Sequence, residues 1–204
     1  MEGHNHKITV FIVEDNEMTR LAIKGVVSKV PDFSVVGEAA DGESAVKSVL
    51  EKQPQVVLVD IGLPVLDGIE ATKRIKRDAP GIKALMLTAH DTDADIFASF
   101  DAGADGYIIK EGFSQKLELA IRSVSDGVAW LDPRIAQRVL KAATASMRGV
   151  VEGRPSAVIN VEPLSEHETR VLEHVAAEGE LCKDGVCLID PEFMQRLHRF
   201  HKAQ

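Results

Sequence analysis

Five polar residues follow short apolar runs in this 204-residue chain. Glu14 and Asp15 follow Ile8–Val13, Asp60 follows Val56–Val59, Thr88 follows Ala84–Leu87, and Lys110 follows Tyr107–Ile109. Together, these residue types suit one chemistry. Carboxylates brought to one place repel one another, and that charge must be offset. A Mg²⁺ ion takes hard oxygen ligands and keeps several waters in its octahedron. A lysine balances the remainder and later holds a phosphoryl oxygen. A threonine hydroxyl adds one hydrogen bond to that oxygen. A carboxylate is a competent nucleophile toward phosphorus once metal and lysine neutralise the incoming group. Asp60 ends the most central-looking apolar run and precedes Ile61-Gly-Leu-Pro-Val-Leu-Asp-Gly68. It is the candidate nucleophile, and the set supports an aspartyl-phosphate site.

For these residues to meet, the runs before them must lie side by side and point the same way. The first 125 residues read as five strand–helix units. The strands are Ile8–Val13, Ser34–Val36, Val56–Val59, Ala84–Leu87 and Tyr107–Ile109. Between them, apolar residues recur at helical spacing: Leu21 to Val30, Ala45 to Leu50 within Gly42–Lys52, Ile69 to Ile75 after Asp67-Gly68, the weaker stretch Asp93–Asp101, and Leu117 to Val124. Uninterrupted apolar strands alternating with helices predict an α/β domain, a five-stranded doubly wound parallel sheet covered on both faces. Ligands of such sheets bind beyond the carboxyl ends of the strands, where the five polar residues sit.

Residues 7–125 resemble the receiver domain of bacterial two-component response regulators, a flavodoxin-like fold. The resemblance is carried by Val13-Glu14-Asp15, by Asp60 with Leu63-Pro64 and Asp67-Gly68, by Leu87-Thr88-Ala89, and by Gly103-Ala-Asp-Gly-Tyr-Ile-Ile-Lys110. An aspartate alone at a strand end is usually a cap or turn former. Four motifs in order, each at a strand end, are far more specific. The resemblance implies that Asp60 is the phosphoacceptor. It makes Glu14, Asp15, Asp60 and the backbone carbonyl of Gly62 the ligands of Mg²⁺ (or Mn²⁺). Thr88 and Lys110 hold the phosphoryl group, and Tyr107 is the switch aromatic that follows Thr88. Gly62 and His90 tune the slow loss of phosphate, with His90 equally open as an ordinary loop residue. The implied partner is a sensor histidine kinase, with homodimerisation on phosphorylation. No enzyme activity is expected beyond accepting the phosphoryl group and slowly losing it.

The rest of the chain divides into a linker with one helix at 126–163 and a small, mostly α output region at 164–204. Asp132-Pro133 reads as a helix cap followed by Pro at the first position. A linker with Gly127 and Trp130 resembles that of the NarL/FixJ type, which precedes a LuxR-type helix-turn-helix. Pro163–Ala176, with Ser165 and Glu168 as a capping box, resembles the opening of that DNA-binding domain. Past Gly179 the likeness fails. Glu180–Ile189 reads as a hairpin around Asp184-Gly185, with Cys182 opposite Cys187. A final helix begins at Asp190-Pro191. Its basic side, with Arg196, Arg199 and Lys202, either enters a DNA groove or faces solvent. Those cysteines are open as buried thiols, a labile disulfide, or metal ligands with His198 and His201.

Composition bounds these readings. The chain is 45% hydrophobic and 27% charged, with a net charge of −8, which excludes a disordered chain and one that coats nucleic acid throughout. Residues 163–204 carry five Lys/Arg and eight Asp/Glu, a net charge of −3. No apolar run approaches the ~20 residues of a membrane span, and no apolar leader follows the N-terminus, so a cytoplasmic location is expected. Two cysteines cannot build a disulfide scaffold. The expected function is a response regulator, phosphorylated on Asp60, that controls transcription through its C-terminal region. The alternative is a receiver whose tail mediates protein–protein contact or dimerisation without DNA.

Overall fold

The β-branched runs form a parallel sheet because both of their faces are apolar. The computed structural model describes residues 7–89 and 92–139, together with the backbone of 182–183 and 186–187. The elements of the first part run β1 (Ile8–Val13), α1 (Glu17–Ser28), β2 (Phe33–Ala39), α2 (Gly42–Lys52), β3 (Val56–Asp60), α3 (Gly68–Asp78), β4 (Lys83–Thr88), α4 (Asp93–Asp101), β5 (Gly106–Ile109), α5 (Leu117–Ser125) and β6 (Trp130–Leu131). Residues 133–139 continue as a further helix, α6. The strand order is β2-β1-β3-β4-β5-β6, and every pairing in this sheet is parallel.

The sheet therefore has six strands, not the five expected from the sequence. The sixth is two residues long, too short to leave a periodic signal, and it pairs Trp130 with Gly106 and Leu131 with Tyr107. β2 is also longer than Ser34–Val36: Gly37 and Glu38 break the apolar run, and the ladder to β1 shifts register at Val36 but continues through Ala39.

Two apolar layers enclose the sheet. On one face, Ile23 and Val27 of α1 and Leu117, Ala120, Ile121 and Val124 of α5 pack on Val10, Ile12, Leu58 and Leu85. On the other, Ala45 and Val49 of α2, Ile75 of α3 and Ile96 of α4 pack on Phe11, Val57, Met86 and Tyr107. Ile135, Ala136 and Val139 of α6 join this second layer. The first part of the stretch expected as linker is thus laid against the sheet.

The helix starts are set by polar side chains that accept otherwise unpaired backbone N–H groups. Asn16, Asp41, Asp67 and Thr92 cap α1, α2, α3 and α4 in this way. Asp132 does the same for α6, accepting from the Arg134 N–H at 3.2 Å, as the Asp-Pro pair predicts. In the tail, β7 (Cys182–Lys183) and β8 (Val186–Cys187) are antiparallel, and Cys182 pairs with Cys187 in register. That is the expected hairpin. The rest of the 164–204 region lies outside the described residues, as do the linker beyond 139 and the candidate residues His90, Arg196, Arg199 and Lys202.

Candidate functional site

The strand order reverses where β1 sits between β2 and β3, and at such a switch point the flanking loops diverge and leave a crevice. Glu14 and Asp15 leave β1 there, beside Asp60 at the end of β3. Register keeps the strand ends level: Val13 pairs with Val59, Asp60 with Leu87, and Thr88 with Ile109. The Lys110 N–H donates to the Thr88 carbonyl at 2.7 Å, tying the last two strand ends together.

The side chains converge as their types predict. Lys110 Nζ lies 2.6 Å from Glu14 Oε2 and 2.9 Å from Asp60 Oδ2. Ligand oxygens of Glu14, Asp15 and Asp60 all lie within 4.8 Å of one another. Glu14 is 1% exposed and Asp60 7% exposed, whereas Asp15 faces solvent. Burial pushes the Glu14 carboxyl above its ordinary value; the Lys110 ammonium pulls it back, and the neighbouring Asp60 charge adds to the rise. One ammonium thus pairs with the two buried carboxylates of a crowded group of three. A buried surplus of hard oxygen donors with one open, solvent-facing member fits a divalent cation that keeps waters.

The β3–α3 connection holds Asp60 in place by close backbone approach. A Cβ on Gly68 would stand 1.8 Å from the Asp60 carbonyl oxygen, so only glycine lets α3 begin there. The Gly68 N–H donates to the Ile61 carbonyl at 2.9 Å. A Cβ on Gly42 would meet the Leu66 carbonyl oxygen at 2.0 Å, so the same loop is seated on the start of α2. Gly62 is exposed and adjoins the acidic cluster: a Cβ there would lie 3.8 Å from Asp60 Oδ2.

Residues 10–122 match the response regulator receiver domain. The chain belongs to the response regulator receiver family. Over 128 residues the chain is 38% identical to the response regulator protein VraR of Staphylococcus aureus strain Mu3, covering 63% of this chain and 61% of VraR. The chain thus spans about three fifths of the length of the curated relatives it matches. Among solved structures, a LuxR-family two-component response regulator from Aurantimonas sp. SI85-9A1 superposes with a TM-score of 0.62 at 32% identity, over 64% of this chain and 94% of that one. The receiver domain of the response regulator NarL from Mycobacterium tuberculosis gives 0.58 at 25% identity, over 60% and 98%. These neighbours agree with the resemblance to the NarL and LuxR type.

Within the receiver, Thr88 is 1% exposed and Tyr107 fully buried. The Tyr107 ring packs 6.4 Å from that of Phe100 on α4, tilted by 41°. Thr88 and Tyr107 therefore stand on neighbouring strands, with α4 above the tyrosine. Arg20 was not foreseen. Its guanidinium donates to the Glu14 carbonyl at 2.7 Å and the Asp15 carbonyl at 3.4 Å, and it pairs with Glu38 at 3.6 Å. It fixes the acidic turn from behind. Its side chain is only 20% exposed, on the face that carries Ile23 and Val27, and an arginine at that position carries no sequence signal for the role. Gly68 is legible in the sequence as part of the Asp67-Gly68 motif; its need for close approach to Asp60 is a tertiary fact. No helix among the described residues is long and apolar enough to cross a membrane.

Proposed function

We propose that this chain is a two-component response regulator in which Asp60 accepts a phosphoryl group from the phosphohistidine of a sensor histidine kinase. The reading is carried by Lys110, whose ammonium stands between Glu14 and Asp60, beside an exposed carboxylate. In the step, an Asp60 carboxylate oxygen attacks phosphorus in line, the P–N bond breaks, and the imidazole leaves with its electron pair. Glu14, Asp15 and Asp60, with the Gly62 carbonyl, would hold Mg²⁺ or Mn²⁺. When bound, such a cation neutralises charge on the phosphoryl oxygens. Lys110 turns from the carboxylates to a phosphoryl oxygen, and the Thr88 hydroxyl donates to another. Tyr107 follows toward the space that Thr88 leaves, biasing a two-state equilibrium of the α4–β5 face. Water attacking in line then cleaves the acyl phosphate slowly, at a rate tuned by Gly62 and His90.

The output follows the LuxR-type relatives: control of transcription through the C-terminal region by a cytoplasmic regulator, with Arg196, Arg199 and Lys202 as its DNA-facing residues and phosphorylation favouring a homodimer. The net charge of −3 over residues 163–204 supports a second reading, in which the tail contacts protein rather than DNA. Asp60→Asn should abolish incorporation of phosphate from acetyl phosphate or a kinase, read by intact mass. Labelling retained at another residue would refute the assignment. A gel shift of phosphorylated against unphosphorylated protein, at stated salt, separates the two outputs.

A further inference from the structure

The turn after β1 carries two of the three crowded carboxylates, and the two are held unequally. Glu14 extends the β1–β2 ladder, its N–H donating to the Ala39 carbonyl at 3.1 Å. Its carboxylate accepts the Asn16 N–H at 3.3 Å and pairs with Lys110. Asp15 has no such support. It is exposed, and no hydrogen bond or ion pair among the described residues holds its carboxylate, so the backbone alone aims it. Arg20, at the end of the first turn of α1, fixes that backbone. Its Nη1 donates to the carbonyls of Glu14 and Asp15. These belong to the peptide groups on either side of the Asp15 Cα, so one guanidinium restrains both backbone dihedrals of Asp15. The same guanidinium sets a positive charge beside a site suited to a cation, and Coulomb repulsion alone makes that unfavourable. Glu38 offsets it. From β2, its carboxylate pairs with Arg20 Nε at 3.6 Å and with Lys24, one turn further along α1.

We propose that Arg20 is a positioning residue for the divalent cation, and that Glu38 is the counter-charge that lets an arginine serve there. This rests on the cation site of the receiver reading above. The guanidinium has two effects of opposite sign. Its hydrogen bonds limit the directions in which Asp15 presents an oxygen, which favours binding because less ordering remains to be done when the cation arrives. Its charge opposes binding. The Arg20 and Glu38 side chains are only 20% and 28% exposed, so water does not screen that charge fully, and the neighbouring carboxylate has to balance it. Removing the arginine therefore separates the effects. Lost geometry weakens cation binding, whereas lost charge by itself strengthens it. A role confined to holding α1 on the sheet would change stability and leave the affinity where it was.

The test titrates Mn²⁺ into the full chain and reads the free ion by electron paramagnetic resonance, which reports affinity separately from stability. Arg20→Met keeps the aliphatic stem and removes both donors and charge. Its dissociation constant should rise about tenfold or more, at low and high salt alike, because geometry is not screened. Glu38→Gln keeps the donors and leaves the charge unbalanced. Its constant should rise about threefold at low salt and return toward the wild-type value at about 0.5 M salt. Cooperative unfolding without metal shows that each variant has folded. Arg20→Lys, which keeps the charge but loses the planar fork, should also weaken binding and stands in if Arg20→Met does not fold. Arginine variants that bind Mn²⁺ as tightly as the wild type, or more tightly, overturn the positioning role and leave the receiver reading standing. Wild-type affinity in Glu38→Gln at low salt overturns the counter-charge. If the wild type itself binds no Mn²⁺, the cation site falls and the proposal with it.

Discussion

At Lys110 a single ammonium lies between two carboxylates, one of them almost wholly buried. Lys110→Ala removes the ammonium that pairs with the Glu14 carboxylate, so Glu14 has to be buried as an uncompensated charge or take up a proton. Its folded-state carboxyl already holds a proton more readily than in the unfolded chain. A carboxyl raised in this way makes the native state bind more protons, so its penalty grows as pH rises above the ordinary value of 4.5 and vanishes as pH falls below it. In chelator, Lys110→Ala should therefore lose about 3–5 kcal/mol at pH 7, read by urea denaturation, and much less near pH 5. Val65 offers a second handle. It lies in the loop after Asp60, is 86% exposed, and sits in the left-handed region at φ 68°, where a β-branched residue is strained by roughly 1–2 kcal/mol. Asparagine is at ease there, so Val65→Asn should raise the unfolding free energy by about 1 kcal/mol without preventing phosphorylation. The meeting of Glu14, Asp60 and Lys110 at one end of the sheet was legible in the sequence because each closes an apolar run. The strain at Val65 was not, because Val65 looks like any loop residue until its φ is known.

Among the elements, the start of α3 is the most exacting. Gly68→Ala would drive a methyl group into the carbonyl of Asp60, and backbone cannot swing aside as a flexible side chain can. The expected cost is about 1–3 kcal/mol of overpacking, with a fall in phosphate uptake because the strand end carrying the nucleophile is the part that yields. A denaturation midpoint beside a labelling rate checks both; an unchanged rate would show that the loop, rather than β3, absorbs the strain. The helices and the first five strands were readable from periodicity and caps. The sixth strand was not. Two residues make no pattern, and Trp130 and Leu131 become a strand only because β5 offers them an open edge. For the same reason α6 was legible as a helix from Asp132-Pro133, while its seat in the layer that holds Tyr107 was invisible.

For the whole molecule, the acidic crevice couples ligand binding to stability. A divalent cation that binds the folded receiver and not the unfolded chain should stabilise it by about 2.7 kcal/mol at a hundredfold excess over its dissociation constant. Melting in Mg²⁺ and then in EDTA reads this, and Asp15→Asn should reduce the shift by removing the exposed member of the ligand set. No shift with either Mg²⁺ or Mn²⁺ would contradict the cation site. Whole-chain charge and composition excluded broad classes but could not place residues 126–139, because their role depends on which edge of the sheet is free. That placement has a practical consequence. An unpaired strand edge is a template on which another chain can add itself. β6 occupies that edge at Gly106 and Tyr107, and its two residues are too short to extend the invitation. A receiver cut after residue 125 would bare β5 and should self-associate or precipitate, whereas one that keeps residues through 139 should remain monodisperse in light scattering. The two-residue strand thus covers half of the edge that β5 would otherwise present.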